Sequence, residues 1–282
     1  MKKFKASYLL IVLICFVMVY CAPPEGSATD SEEKTGMEQN SEDKEYFKTK
    51  PGEKPLPDQV LDIFKDGNER FASGTSAYPN TKDERIAQAA TSNQGNYALA
   101  TVISCSDSRV PVEILFDAGI MDIFVIRVAG NVCDTDEVGS IEYGLAHVNT
   151  PLMIVLGHSQ CGAVTAVTHA VEGHGHQLER NIPPLVDNII PAVKRAKEEN
   201  PDVDEEGLIP LAIEENVWQS TKDLFIKSPA TRNLVKEGKV KVVGAIYDLS
   251  TGKVNWLDES KPGEILSMVE QMEDIPQNAM AE

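Results

Sequence analysis

Apolar positions along the chain follow different rules in different stretches. An unbroken apolar run, Tyr8 to Tyr20, spans 13 residues behind Lys2, Lys3 and Lys5. From Pro23 to Pro57 apolar residues are sparse among Ser, Glu, Asp, Lys, Gly and Pro, the composition of a solvated tether. Beyond it, Val60, Leu61, Phe64, Asn68 and Phe71 share one helical face. A helix is therefore expected from a cap at Asp58 to just before Gly74, with Gly67 as its weak point. A short helical stretch, Glu84 to Ala90, then leads to the apolar run Ala98 to Ser104, which reads as a buried strand. Val112 to Phe116 makes a helical turn, Ile123 to Val128 a second strand, Val138 to His147 a helix and Leu152 to Leu156 a third strand. Helices follow at Gly162 to Val171, at Pro183 to Lys197 with Leu185, Ile189, Val193 and Ala196 on one face, and at Ile213 to Phe225. Ser228-Pro229 is a capping pair for the next helix. Val240 to Tyr247 and Lys253 to Trp256 flank Ser250-Thr251-Gly252 as a hairpin. Strands alternating with helices imply right-handed crossovers and a parallel sheet.

The chain divides on this reading into a leader at 1–22, an acidic flexible linker at 23–56, a single α/β domain at 57–276 and a tail at 277–282. The basic residues and apolar run of the leader match a secretory signal, whose apolar core runs roughly 7–15 residues. Cys21 resembles the lipid-bearing cysteine of bacterial lipoproteins. The expectation is an exported protein, periplasmic or tethered to the membrane through the leader or a lipid on Cys21. A formal charge of −18 argues against nucleic acid or an anionic membrane surface as the main partner, because both require clustered Lys and Arg.

Of five cysteines, Cys15 and Cys21 belong to the leader. The remaining Cys105, Cys133 and Cys161 make an odd set, a poor basis for a disulfide framework. Cys133 reads as a small buried hydrophobe. Cys105 opens Cys-Ser-Asp-Ser-Arg at the end of the first strand, and His158 and Cys161 form His-x-x-Cys after the third. If the two strands deliver their loops to one edge of the sheet, two thiolates and an imidazole meet, the donor set of a Zn²⁺ site with one position for water or a further ligand. That fourth position could hold water or the carboxylate of Asp107. Arg109, two residues on, can pair with Asp107 and hold it off the metal. Taken singly, each of these residues has a structural explanation as a core cysteine, a satisfied histidine or a loop ion pair. Their convergence on two loops is what points to a site.

Cys105-Ser-Asp107-Ser-Arg109, Arg127-Val-Ala-Gly-Asn131, Ser140-Ile-Glu-Tyr143 and Gly157-His158-Ser-Gln-Cys161-Gly-Ala resemble the motif set of the β-class carbonic anhydrases over roughly Asp58 to Trp256. The resemblance implies a mostly parallel central sheet with an added C-terminal strand, flanked by helices, in homodimers or higher assemblies. It implies reversible hydration of CO₂ to bicarbonate and a proton by zinc-bound hydroxide, with one Zn²⁺ per subunit on Cys105, His158 and Cys161. Asp107 and Arg109 become the dyad that orients hydroxide or, with Asp107 on the metal, closes the site. Phe124, Tyr143 and Gly162 match positions around the family's substrate pocket. Asn96 stands where many members have a Gln that binds bicarbonate; either it reaches the substrate through water, or Gln94 or a partner subunit compensates for its shorter reach, or it is a plain loop residue. His169, His174 and His176, just beyond the second of the two loops, read first as part of a solvated loop, with a proton relay or adventitious metal binding as the alternatives. The alternative is a noncatalytic zinc-stabilised binding or assembly protein on the same fold.

Overall fold

The computed structural model describes residues 50–280. The leader, Cys21 and the acidic segment up to residue 49 lie outside the described residues. Helix α1 (Pro57–Ala72) is entered through Leu56, with Pro57 in its first turn, where a missing N–H costs nothing. Asp58 is therefore not the cap expected of it. It lies one residue inside, and Lys241 pairs with it at 2.7 Å. The apolar face of α1 is buried, and Gly67 does not interrupt it. A Cβ on Gly67 would lie 2.1 Å from the Phe116 carbonyl oxygen, so glycine here permits close helix packing. Asn68 donates to the carbonyls of Leu115 and Gly252 and accepts from the Val254 N–H, fastening α1 to the far end of the sheet.

Helix α2 (Asp83–Ala89) precedes strand β1 (Ala100–Ser104), followed by α3 (Val112–Leu115), β2 (Ile123–Arg127), α4 (Thr135–Glu142) and β3 (Leu152–His158). Then come α5 (Gly162–Val171), α6 (Ile182–Val186), α7 (Ile190–Glu199), α8 (Glu205–Lys227), α9 (Pro229–Lys236), β4 (Lys241–Tyr247), β5 (Val254–Trp256) and α10 (Lys261–Val269). The strand order is β2-β1-β3-β4-β5. The first four strands run parallel, and β5 returns antiparallel to β4. This is the mostly parallel sheet with an added C-terminal strand that the motifs imply.

One face of the sheet buries Val102, Ile154 and Leu156 against Val60, Leu61 and Phe64 of α1 and Leu115 of α3. The other buries Ile103, Met153 and Val155 against Ile141 of α4, Val217 and Phe225 of α8 and Ile265 of α10. Strands β1 and β3 are buried along their whole length, as parallel strands covered on both faces must be. The single helix expected at Pro183 to Lys197 is broken into α6, a turn at 187–189 and α7. Pro191 in the first turn of α7 cannot continue the preceding hydrogen-bond ladder. Helix α8 begins well before Ile213, because Asp204 caps it by accepting from the Gly207 N–H and Pro210 is accommodated inside it. Among the described residues no helix is long and apolar enough to cross a membrane.

The packing at Gly67 makes an unusual sign prediction. In an exposed helix Gly→Ala stabilises by about 1 kcal/mol, whereas Gly67→Ala should destabilise by about 1–3 kcal/mol through the clash with the Phe116 carbonyl. Urea unfolding of parent and variant decides between the two signs.

Candidate metal centre

Parallel pairing of β1 with β3 sets Ser104 level with Leu156, so both chains leave the sheet at the same edge. Cys105 is the first residue past β1. His158, expected in the following loop, is instead the last residue of β3, level with Tyr247 of β4. Cys161 precedes α5 as its cap residue, after a tight turn in which Gln160 takes a φ of 56°. That turn is tied to β4 and its hairpin: the Ser159 N–H donates to the Tyr247 carbonyl, and Ser159 Oγ accepts from the Leu249 N–H.

These placements bring Cys105, His158 and Cys161 together, all buried, with their ligand atoms within 4.8 Å of one another. The two sulfurs lie 4.0 Å apart, far too long for a disulfide, and both thiols are free. A tetrahedron with metal–sulfur bonds of about 2.3 Å has an edge of about 3.8 Å, close to this separation. His158 Nδ1 donates to the Ser159 carbonyl at 2.9 Å, which leaves Nε2 as the lone-pair nitrogen. Nε2 is buried and has no hydrogen-bond partner. An orphaned acceptor facing two thiols is costly unless a cation completes it. The residues therefore fit a Zn²⁺ ion.

The electrostatics agree. Cys161 first, then His158 and the Gly130 N–H, hold the Cys105 thiol below its usual range against the opposing effect of burial. Cys161 is pushed up by Cys105 beside it and by burial. Ionisation of Cys105 thus opposes ionisation of Cys161, a repulsion that a divalent cation between them would relieve. Cys133 is also buried and free, and burial raises its thiol, as suits an inert core residue.

Asp107 is held by Arg109 through both oxygens. Oδ1 accepts from the Arg109 N–H and Nε at 2.9 Å each, and Oδ2 accepts from Nη2 at 2.7 Å. Of the two arrangements open to Asp107, this is the one paired with arginine, its Oδ2 3.9 Å from His158 Nε2. The Arg109 side chain holds the carboxyl far below the usual carboxylate range. Arg109 Nη2 also donates to the Gln160 carbonyl at 3.3 Å, joining the two loops. Arg127 was not assigned a role by sequence reasoning, although it begins one of the motifs. Its guanidinium donates to the backbone carbonyls of Cys105 and Asp107 and so shapes the loop that carries them.

Gly162 opens α5 directly after Cys161, and a Cβ there would meet nothing within 4 Å. Asn96, Phe124 and Tyr143 are placed differently. Phe124 is level with Thr101, four residues before Cys105 and so about 13 Å back along the strand. Tyr143 lies over it, with ring centroids 5.9 Å apart, and Asn96 belongs to the turn before β1. Within one chain, Asn96 and Phe124 thus lie toward the start of the strands and the thiols beyond their ends. His169 and His174 both face Glu205, at 3.5 and 2.8 Å, His169 also lines a cleft with Ser159 and Gln160, and His176 is exposed.

A family profile described as "Carbonic anhydrase" matches residues 100–254. Carbonic anhydrase 2 of Mycobacterium tuberculosis is 35% identical over 192 residues, covering 67% of this chain and 87% of its own. The structure of the β-carbonic anhydrase CcaA aligns at 26% identity with a TM-score of 0.54, covering 71% of this chain and 88% of its own. One of two tetrameric β-carbonic anhydrases from the ascomycete Sordaria macrospora shares the fold at 21% identity and a TM-score of 0.53, covering 71% of this chain and 97% of its own. Profile, relatives, sheet order and the Cys-His-Cys cluster agree, and the chain belongs to the β class of the carbonic anhydrases, a family of lyases.

Proposed function

We propose that this protein interconverts CO₂ and bicarbonate at one Zn²⁺ ion per subunit held by Cys105, His158 and Cys161. The observation that carries the reading is the buried, partnerless Nε2 of His158 facing two sulfurs 4.0 Å apart, with a carboxylate beside them already taken by an arginine. Bound there, zinc would lower the pKa of a water molecule and so supply the nucleophile for CO₂ at neutral pH. The protein does the rest. Cys105 and Cys161 supply negative charge, and His158 is oriented by its bond to the Ser159 carbonyl. Arg109 keeps the carboxylate of Asp107 ionised and turned to itself, so that a fourth ligand position is left for water. Oδ1 already accepts two bonds, whereas Oδ2 accepts one and can take another; Oδ2, on the side of His158, is placed to orient the attacking water.

The reading extends to a homo-oligomer. Strand β2 is an open edge of the sheet among the described residues. Tyr143 is half exposed beside that edge, stacked on His147 with centroids 5.4 Å apart. Unpaired edges with exposed aromatics invite a partner, and the Sordaria relatives are described as tetrameric. A second copy seated on this edge would place its own Asn96, Phe124 and Tyr143 near the first copy's thiols, which one chain by itself does not achieve.

Stopped-flow CO₂ hydration with zinc quantified tests the chemistry. Chelator-stripped protein should be inactive and regain activity with zinc, and the rate should rise with pH. Because the carboxyl of Asp107 is depressed, it stays ionised down to strongly acid pH, so that rise cannot be its deprotonation. Stoichiometric zinc without hydration under alkaline conditions would overturn the reading. Arg109→Ala should keep its zinc yet lose about 10–100-fold in activity; an unchanged rate would remove Arg109 from the mechanism. Tyr143→Asp should weaken self-association by about 2 kcal/mol, roughly thirtyfold in the dissociation constant. Sedimentation velocity reads it, and unaltered assembly would place the interface elsewhere.

A further inference from the structure

Helix α8 packs against the sheet mainly through apolar residues, yet its middle carries Asn216, 1% exposed, between Ile213 and Val217. A buried amide on a core face is unfavourable unless it does something that Leu or Ala could not. Asn216 Nδ2 donates to the Gly130 carbonyl at 2.7 Å, across 86 residues of sequence. Gly130 in turn donates its own N–H to Cys105 Sγ at 3.3 Å. The two bonds hold the two peptide planes that meet at Gly130, so anchoring the carbonyl plane narrows the range of directions open to the N–H.

Gly130 cannot be held there by an ordinary side chain. Its φ is +76°, and a Cβ would lie 2.7 Å from Ile189 Cδ1 and 3.2 Å from Ala163 Cβ. Lacking a side chain, it must be oriented from outside, and Asn216 makes the one side-chain hydrogen bond to its carbonyl among the described residues. An N–H aimed at a thiolate withdraws charge from the sulfur, favours its ionised form and moderates its donation to a metal. We propose that Asn216 is a positioning residue of the metal centre, which aims the Gly130 N–H at Cys105 Sγ and thereby sets the electron density of that ligand. The proposal rests on the metal reading of the Cys105, His158 and Cys161 cluster.

Cobalt-substituted protein reads the effect, because sulfur-to-cobalt charge-transfer absorption follows the electron density on Sγ. Asn216→Ala should move that band to lower energy and weaken cobalt and zinc binding by about tenfold in competition with a chelator. Ser220→Ala is the control. It lies one turn further along α8, and its buried hydroxyl has no hydrogen-bond partner, so band and affinity should stay at the parent's values. An Asn216→Ala protein with unchanged band and affinity overturns the proposal, as does an equal shift in Ser220→Ala. If Asn216→Ala does not fold, NMR of cadmium-loaded parent protein decides instead. The Gly130 amide proton should couple to cadmium through Sγ and resist exchange, whereas an uncoupled, fast-exchanging amide sinks the idea. Parent protein with no thiolate band overturns the metal reading itself, an outcome distinct from a parent band that Asn216→Ala fails to move.

Discussion

Everything at the centre depends on two neighbouring parallel strands that end together. With Ser104 of β1 level with Leu156 of β3, the first residue beyond one strand comes beside the last residue of the other. A slip of one residue would turn every side chain of a strand to the opposite face and so break the burial that holds the two strand ends in place. That register is held by apolar packing on both faces of the sheet, far from any of the chemistry. Close approach of α8 helps: a Cβ on Gly157 would lie 2.9 Å from Val217, so only glycine lets that helix lie over the end of β3.

The register brings the donors together, and a layer of polar contacts then aims them. Arg127 holds the carbonyls of Cys105 and Asp107, Arg109 spans Asp107 and Gln160, and Ser159 knots the His158 turn to β4 and its hairpin. Most of these bonds end on backbone carbonyls or amides, so they fix loop shape more than they add charge. The two arginines also place positive charge beside the site in a chain whose formal charge is −18. Net charge therefore says little about the field an incoming anion such as bicarbonate meets here.

Much of the fold was legible because buried parallel strands announce themselves as apolar runs and helices as stripes. The hairpin around Gly252 and the helix after Ser228 were equally plain. Other features escaped for identifiable reasons. Gly67 read as a weak point of its helix because propensity is local, whereas its value lies in close packing against the Phe116 carbonyl, nearly fifty residues away. Helix α10 was missed although Ile265, Leu266 and Val269 are buried on one face; a nine-residue element after a hairpin offers few turns of pattern to recognise. Asn216 escaped because a single polar residue in a helix reads as solvent-facing until the sheet beneath it is known.

The sequence by itself determined the donor set: two cysteines, a histidine, and a carboxylate with an arginine two residues on, in spacings that match one family. Those are local facts, because Asp107 and Arg109 lie in one loop, and His158 and Cys161 lie at the end of one strand and in the turn that follows it. Only the tertiary structure decided that the two loops share a sheet edge, that Asp107 faces its arginine, and that Asn96, Phe124 and Tyr143 lie some way back along β1 and β2 from their own chain's thiols. The physical reason is that such relations depend on strand order and register, which emerge from burying both faces of a sheet at once. No stretch of residues encodes that burial on its own.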